Sequence, residues 1–153
     1  MIYHKVFIPI KTVSEGNVRE HWHKAASRHT AHRNAVTEAL NQAGVPFPLT
    51  YRVLVTLVRH GVRKLDGDNL QFSFKWIRDA VADYLVPGLA KGRADDDPRL
   101  MWTYDQVKVS KGQEGFQILL QSHETVGISF SSLEWSHSDA STVCPFCKRS
   151  FDH

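Results

Sequence analysis

The stretch KLDGDNLQFSFKWIRD, residues 64–79, is the part of this chain that best indicates its fold and its chemistry. It places Asp66, Asp68 and Asn69 where a helix is predicted to begin. The simplest explanation is capping, because Asp and Asn side chains accept hydrogen bonds from the free backbone N–H groups of a helix N-terminus. One cap, Asp68 or Asn69, is enough, and Asp66 then only belongs to the turn around Gly67. The crowding of two carboxylates has to be explained from the rest of the chain.

The helix predicted after these acids carries two stripes of side chains. Its apolar stripe predicts one helix ending near Pro87 and consists of Leu70, Phe74, Ile77, Val81 and Leu85. A second stripe, at about 100° per residue, consists of Asp68, Phe72, Lys75 and Asp79. We predict from this second stripe that Lys75 faces the acidic end of the helix. The alternative is a surface lysine that pairs with Asp79 one turn later.

Strand-like segments surround this helix. They are rich in β-branched, aromatic and aliphatic side chains and cover residues 2–10, 51–60, 100–109 and 116–122. The second segment is apolar on both faces, which predicts a central position in the sheet. The last two segments flank KGQEG and are predicted to form a hairpin, and a further strand is predicted at residues 126–132.

A long first helix is predicted at residues 15–43, with Ser14 as its N-cap and Gly44 as its stop. Together with the helix after Asp68, this predicts an α+β domain with a mixed β-sheet and two main helices. We expect this domain to comprise residues 1–132. A C-terminal extension rich in Ser and His, residues 133–153, is expected to lie outside its core.

Length and composition agree with one domain. The 153 residues are 42% hydrophobic, which is enough for a core. The longest apolar runs are as short as strands, whereas roughly 20 residues are needed to cross a bilayer, so no membrane partner is expected. The N-terminus MIYHKVFIPIK lacks the pattern of a secretory signal, which favours the cytoplasm.

Cations are concentrated in the N-terminal quarter of the chain. Such an excess suits a phosphate backbone, and the predicted DNA-binding residues are Arg19, Lys24, Arg28 and Arg33. Helical spacing predicts one basic stripe formed by His21, Lys24, Arg28 and His32. The alternative explanation is an ordinary solvated helix face.

A second acidic cluster lies in the polar loop 88–98 and consists of Asp95, Asp96 and Asp97. We expect the loop to bring this cluster to the same edge of the sheet as Asp66 and Asp68. Gathered carboxylates need cations, because burying several unpaired negative charges is costly. Oxygen ligands with room for water and phosphate suit Mg²⁺ or Mn²⁺, and such a site hydrolyses phosphodiesters.

Two stretches in this order, DGDNLQFSFKWIRDAV at residues 66–81 and ADDDPRLMWTY at residues 94–104, carry a family resemblance. The chain resembles the RusA family of Holliday junction resolvases, including its phage-encoded members. TVSEGNVREHW, residues 12–22, is also similar to the N-terminal segment of phage members. The similarity extends from about Val6 to Leu120.

The resemblance implies a homodimeric endonuclease, dependent on Mg²⁺ or Mn²⁺, that binds four-way DNA junctions and nicks two opposed strands symmetrically. It implies that Asp66 and Asp68 are metal ligands and that Lys75 is the catalytic lysine. The third acid is either Asp97 or Asp95.

The position of the lysine departs from the family pattern. In the best-known form the lysine follows the second aspartate by one helical turn, whereas Phe72 stands at that position here. Helical side chains lean towards the N-terminus, so we still expect Lys75 to reach a phosphate bound near Asp68.

The C-terminal extension contains the pair C-P-F-C. In a reducing compartment such a pair favours a metal site or free thiols over a disulfide. The predicted structural Zn²⁺ ligands are Cys144, Cys147, His137 and His153, and free thiols are the alternative. If the acids are only caps, the chain is instead a non-catalytic DNA-binding protein with a structural zinc tail.

Overall fold

A computed structural model describes residues 3–14 and 19–123 of the chain. The elements in chain order are β1 (Tyr3–Ile8), α1 (Trp22–Gln42), β2 (Arg52–Gly61), α2 (Gly67–Ser73), α3 (Lys75–Leu85), β3 (Leu100–Lys108) and β4 (Gly115–His123). The predicted α+β class with a mixed sheet is confirmed. The predicted strand at 126–132 and the extension 133–153 lie outside the described residues.

The sheet has the strand order β1-β4-β2-β3. Strand β2 pairs in parallel with β3, with Val53 opposite Leu100, and antiparallel with β4, with Leu57 opposite Ile118. The predicted central position of β2 is therefore confirmed. The predicted hairpin between β3 and β4 is wrong, because the two strands lie on opposite sides of β2. A central strand has a neighbouring strand on each side, and its side chains are shielded more than those of an edge strand. This agrees with the apolar side chains on both faces of β2.

The core lies between one face of the sheet and the helices. Alternate side chains of β2 point into it, and Val55 and Leu57 are fully buried there, as are Phe116 and Ile118 of β4. Helix α1 packs against α3, and α2 packs against β3. On the other face of the sheet, large side chains remain exposed, including Tyr3, Phe7, Met101 and Val107. The helices thus determine which sheet face can carry an enclosed site.

Helix α1 is shorter than predicted. It begins at Trp22, and its N-cap is His21, which has extended backbone angles and makes no side-chain capping bond. Ser14 is not its cap, because the helix begins only at Trp22, and the Ser14 hydroxyl instead donates a hydrogen bond to Asn69 Oδ1 at 2.9 Å. The segment before α1 is therefore attached to the start of α2 instead. The predicted first turn, residues 15–18, lies outside the described part of the chain.

The second predicted helix is divided in two at Phe74, so three helices replace the predicted two main ones. The Ser73 hydroxyl donates to the Leu70 carbonyl, and the Phe74 N–H bonds to Gln71 three residues back. Such local bonds compete with the regular helical ladder. The apolar stripe nevertheless stays buried throughout, because all five of its side chains are at most 7% exposed. Within the described residues, no helix is long and apolar enough to cross a membrane.

Candidate active site

Asp66 is the N-cap of α2. Its Oδ1 accepts a hydrogen bond from the Asn69 N–H at 3.0 Å, and its backbone is extended as capping requires. The prediction that Asp68 or Asn69 supplies the cap is therefore wrong, because the helix begins one residue after Asp66. Asp68 lies in the first turn of α2 with an exposed side chain. Capping accounts for Asp66, whereas Asp68 makes no capping bond and lies in the first turn, where a carboxylate interacts favourably with the helix dipole.

An open cleft of about 560 Å³ lies beside α2 and α3, and we call it the acidic cleft. The entire second stripe predicted from the sequence lines it, namely Asp68, Phe72, Lys75 and Asp79. Lys75 thus lines the same cleft as Asp68 and Asp79. The cleft is also lined by Arg78, Gly92, Asp95 and Tyr104. Arg78 donates a hydrogen bond to the Tyr104 hydroxyl.

Asp79 also lines this cleft, although the sequence analysis gave it no role except as the alternative ion-pair partner of Lys75. Its side chain is only 9% exposed, and no hydrogen bond or ion pair in the described part of the chain reaches its carboxylate. Burial raises the pKa of Asp79, and the nearby charges of Asp95 and Asp83 raise it further, against the opposing effect of Lys75. Gly92 lies beside this carboxylate, and its φ of +72° is a backbone conformation that favours glycine. The signal in the sequence was the shared stripe with Asp68 and Lys75.

Asp95 is held in the cleft by two contacts. Its carboxylate lies 3.3 Å from Arg78 Nη2, and its backbone carbonyl accepts from Trp102 Nε1 at 2.9 Å. The Arg78 guanidinium in turn lies over the Trp102 ring and donates to the Tyr104 hydroxyl. Asp95 is therefore fixed against β3, with its carboxylate in the lining of the cleft.

Asp97 lies elsewhere and has a different partner. Both of its carboxylate oxygens accept from the Arg99 side chain at 2.9 Å, and these bonds lower the pKa of Asp97. Arg99 also donates to the carbonyl of Leu49. Asp97 thus helps to fasten the start of β3 and does not line the acidic cleft. Of the two alternatives for a third acid, the structure brings Asp95 together with Asp68 and Lys75.

The two acidic clusters do not meet at one edge of the sheet as expected. Because β2 and β3 are parallel, the loop that leaves β2 and the loop that enters β3 lie at opposite ends of the sheet. The entering loop instead passes over the sheet face. Leu65 is bonded to the Gln106 side chain and Asp95 to Trp102, so the two segments contact β3 four residues apart, about 13 Å along the strand.

The donor chemistry of the cleft suits a hard divalent cation. Among residues 3–14 and 19–123, no group of three or more His, Cys, Asp or Glu side chains is close enough together to hold a metal ion. Mg²⁺ does not require such a cage, because it usually binds one or two carboxylates and completes its shell with water and phosphate. The buried Asp79 carboxylate, which has no hydrogen-bonding partner among the described residues, fits this requirement.

The cations predicted to bind DNA differ in their surroundings. Arg28 is paired with Glu20, and Arg33 Nη1 lies 2.6 Å from Asp83 Oδ2. The predicted exposed stripe is wrong at His32, which is only 4% exposed because it packs against Phe116 in the core. Arg19 and Lys24 are exposed.

No protein-family model matches this chain, and no curated protein is significantly similar to it. The predicted zinc ligands Cys144, Cys147, His137 and His153 lie outside the described residues.

Proposed function

We propose that this protein is an endodeoxyribonuclease that uses Mg²⁺ or Mn²⁺ to nick four-way DNA junctions. The observation that supports this proposal is the shared position of Asp68, Lys75 and Asp95 in the lining of one open cleft. These are three of the residues at which the chain resembles the RusA family. The proposal includes a homodimer, because paired nicks in two opposed strands require two active sites.

The carboxylates of Asp68 and Asp95 are the proposed metal ligands, with Asp79 as a third carboxylate in the same cleft. The metal ion, when bound, supplies a water of lowered pKa and stabilises the charge of the leaving oxygen. Arg78 positions Asp95 through its contact with that carboxylate. Among the described residues, Arg78 is the ion-pair partner of the Asp95 side chain.

Lys75 has the proposed role of stabilising negative charge on the scissile phosphate. Its ammonium group lies 5.2 Å from the centre of the Trp76 ring, and its side chain lines the cleft opposite Asp95. A cation held in a cleft from which DNA excludes water interacts more strongly with developing charge than it does in bulk water. The exposed cations Arg19 and Lys24 are the proposed contacts to DNA outside the cleft.

The test is the change Asp68→Asn, which keeps the size of the side chain and removes its charge. We expect the Mg²⁺-dependent nicking rate on a synthetic four-way junction to fall at least about 100-fold, because a metal ligand is lost. Junction binding in EDTA should be retained or become tighter, since one negative charge near phosphate is removed. The matched control is Asp105→Asn, because the Asp105 side chain is exposed and is not among the described residues that line the cleft.

Normal nicking by Asp68→Asn, or equal losses in both variants, would contradict the metal site. The second candidate is a non-catalytic DNA-binding protein, and the capping role of Asp66 favours it. Junction binding by the unaltered protein without any Mg²⁺- or Mn²⁺-dependent cleavage would support that candidate.

A further inference from the structure

A second cavity, of about 310 Å³, lies at the end of β2 where the chain leaves the sheet. We call it the basic cavity, because three cations and one carboxylate line it: Lys11, Arg59, Arg63 and Glu114. It is distinct from the acidic cleft, with which it shares no lining residue among those that the structure describes. Leu65 lines it, so it adjoins the turn that carries Asp66.

Arg59 is the unusual residue of this cavity. It is only 8% exposed, and within the described residues no carboxylate lies within ion-pair distance of it. Its Nη1 donates to the Arg63 carbonyl at 2.7 Å, but its Nε is buried without a hydrogen-bond partner. A buried charge without a partner costs several kcal/mol in general, so its presence needs a compensating interaction.

His60 and Gly61, the residues that follow Arg59 in β2, differ in their relation to its guanidinium. A Cβ at Gly61 would overlap the Arg59 guanidinium, so the glycine provides the space in which that group lies. His60, which also lines the cavity, has its Nε2 buried without a hydrogen-bond partner. Arg59 Nε is therefore the unsatisfied donor of a residue that lines this cavity, whereas the His60 ring packs against Phe7 on the opposite face of the sheet.

Glu114 does not neutralise the guanidinium. Its carboxylate accepts from the Gly112 N–H, and the charges near it are those of Lys11 and Lys111. The cavity therefore keeps an excess of positive charge and donors, which suits an anion with several oxygens.

We propose that Arg59, with Lys11 and Arg63, binds a phosphate group, and that this phosphate belongs to the DNA backbone next to the one that is cut. The assignment of this phosphate to the DNA backbone rests on the proposed nuclease function. The position of the cavity beside the turn at Asp66 supports it, because Leu65 of the basic cavity and Asp68 of the acidic cleft are only three residues apart in the chain.

The test uses Arg59→Met, which keeps an unbranched apolar side chain in place of the arginine stem and removes its charge and donors. Binding of a fluorescent four-way junction is measured by anisotropy in EDTA over a range of salt concentrations. We expect at least about tenfold weaker binding and a salt slope smaller by about one unit. The melting temperature should be equal or higher, because an unpaired buried charge is removed. The control is Arg52→Met, an exposed arginine at the other end of β2.

Gly61→Ala is the second variant, and it tests the contribution of Arg59 to junction binding if Arg59→Met does not fold. It leaves the net charge unchanged but displaces the guanidinium, so it should also weaken junction binding. Unchanged affinity and slope in both variants would overturn the proposal, and nicking by the unaltered protein would then still support the nuclease function. A lowered melting temperature with unchanged affinity would show that Arg59 only holds the Arg63 carbonyl.

A further arm distinguishes the source of the phosphate. Inorganic phosphate is added during thermal unfolding of the unaltered protein and of Arg59→Met. Weakened junction binding supports a DNA phosphate even if the unaltered protein cuts nothing. Stabilisation of the unaltered protein alone by phosphate, with junction binding unchanged in the variant, would keep the phosphate site and reject DNA as its ligand.

Discussion

At the scale of single residues, the neighbours of each aspartate decide what it does. Asp66 caps a helix, whereas Asp68, two residues later, is exposed in a cleft. Asp97 is paired with Arg99, whereas Asp95 faces the cleft. The sequence predicts that such carboxylates cluster, but a shift of one residue in a helix start or a loop changes their roles. Such shifts depend on backbone angles that residue types alone do not determine.

The two alternatives for the third acid can be separated by mutation. We expect Asp95→Asn to reduce the Mg²⁺-dependent nicking rate at least about tenfold with little change in melting temperature. Asp97→Asn should lower the melting temperature by a few degrees and largely retain nicking, because its loss frees Arg99 from the start of β3. The reverse pattern would identify Asp97 as the ligand.

The effect of Asp97→Asn on stability should depend on pH. The pKa of Asp97 is lowered in the folded protein, so its ionised form stabilises the fold above the ordinary Asp value of about 3.9. This stabilisation is lost as the pH falls through that value towards the lowered one. The difference in melting temperature between the two proteins should therefore be full at pH 7 and decrease below about pH 4. A constant difference would mean that Asp97 acts through its shape and not its charge.

At the scale of elements, the helical periodicity of the sequence predicted side-chain burial correctly, whereas the predicted pairing of two strands was wrong. The apolar stripe from Leu70 to Leu85 is buried even though the helix is interrupted at Phe74. Side-chain direction repeats with each helical turn, so it tolerates a short break. The predicted hairpin failed because β3 and β4 both pair with β2, and such a choice among partners depends on contacts far apart in the chain.

The cap of α2 gives a prediction at this scale. Asp66→Ala should lower the free energy of unfolding by about 1 kcal/mol, because the Asn69 N–H loses its acceptor. Urea unfolding in EDTA measures this loss without any contribution from metal. The matched control Asp68→Ala lies in the same turn but caps nothing, so its effect should be smaller. Equal losses in the two variants would contradict the assignment of the cap.

At the scale of the whole molecule, the helices lie on one face of the sheet and both cavities lie near the segment that follows β2. Residues 3–14 and 19–123 contain the four described strands and the described lining of the acidic cleft. The sequence predicted one domain from its length and composition, and a mixed class from its order of strand-like and helical segments. It could not predict the order of the strands in the sheet, because the same strand segments can pair in several orders.

Removal of residues 133–153 should therefore retain both cooperative unfolding and Mg²⁺-dependent nicking. The full chain, purified without added metal, should contain roughly one zinc, and the double change of Cys144 and Cys147 to Ser should remove it. Elemental analysis measures the zinc, and the junction assay measures the nicking. Lost nicking in the shortened chain would show that the extension takes part in the reaction, and zinc retained by the double variant would reject these ligands.

The pairing of β1 with β4 affects the order in which the chain can fold. Tyr3 lies opposite Gln121, so the first described strand meets its partner only when nearly the whole described chain has been synthesised. Contacts between residues so far apart slow folding, and the ribosome releases the N-terminal segments first. Until residues 115–123 emerge, the apolar run VLVTLV of β2 lacks its antiparallel neighbour and is prone to aggregate. Chains that stop before Gly115 are therefore expected to accumulate as aggregates and not as a smaller folded unit.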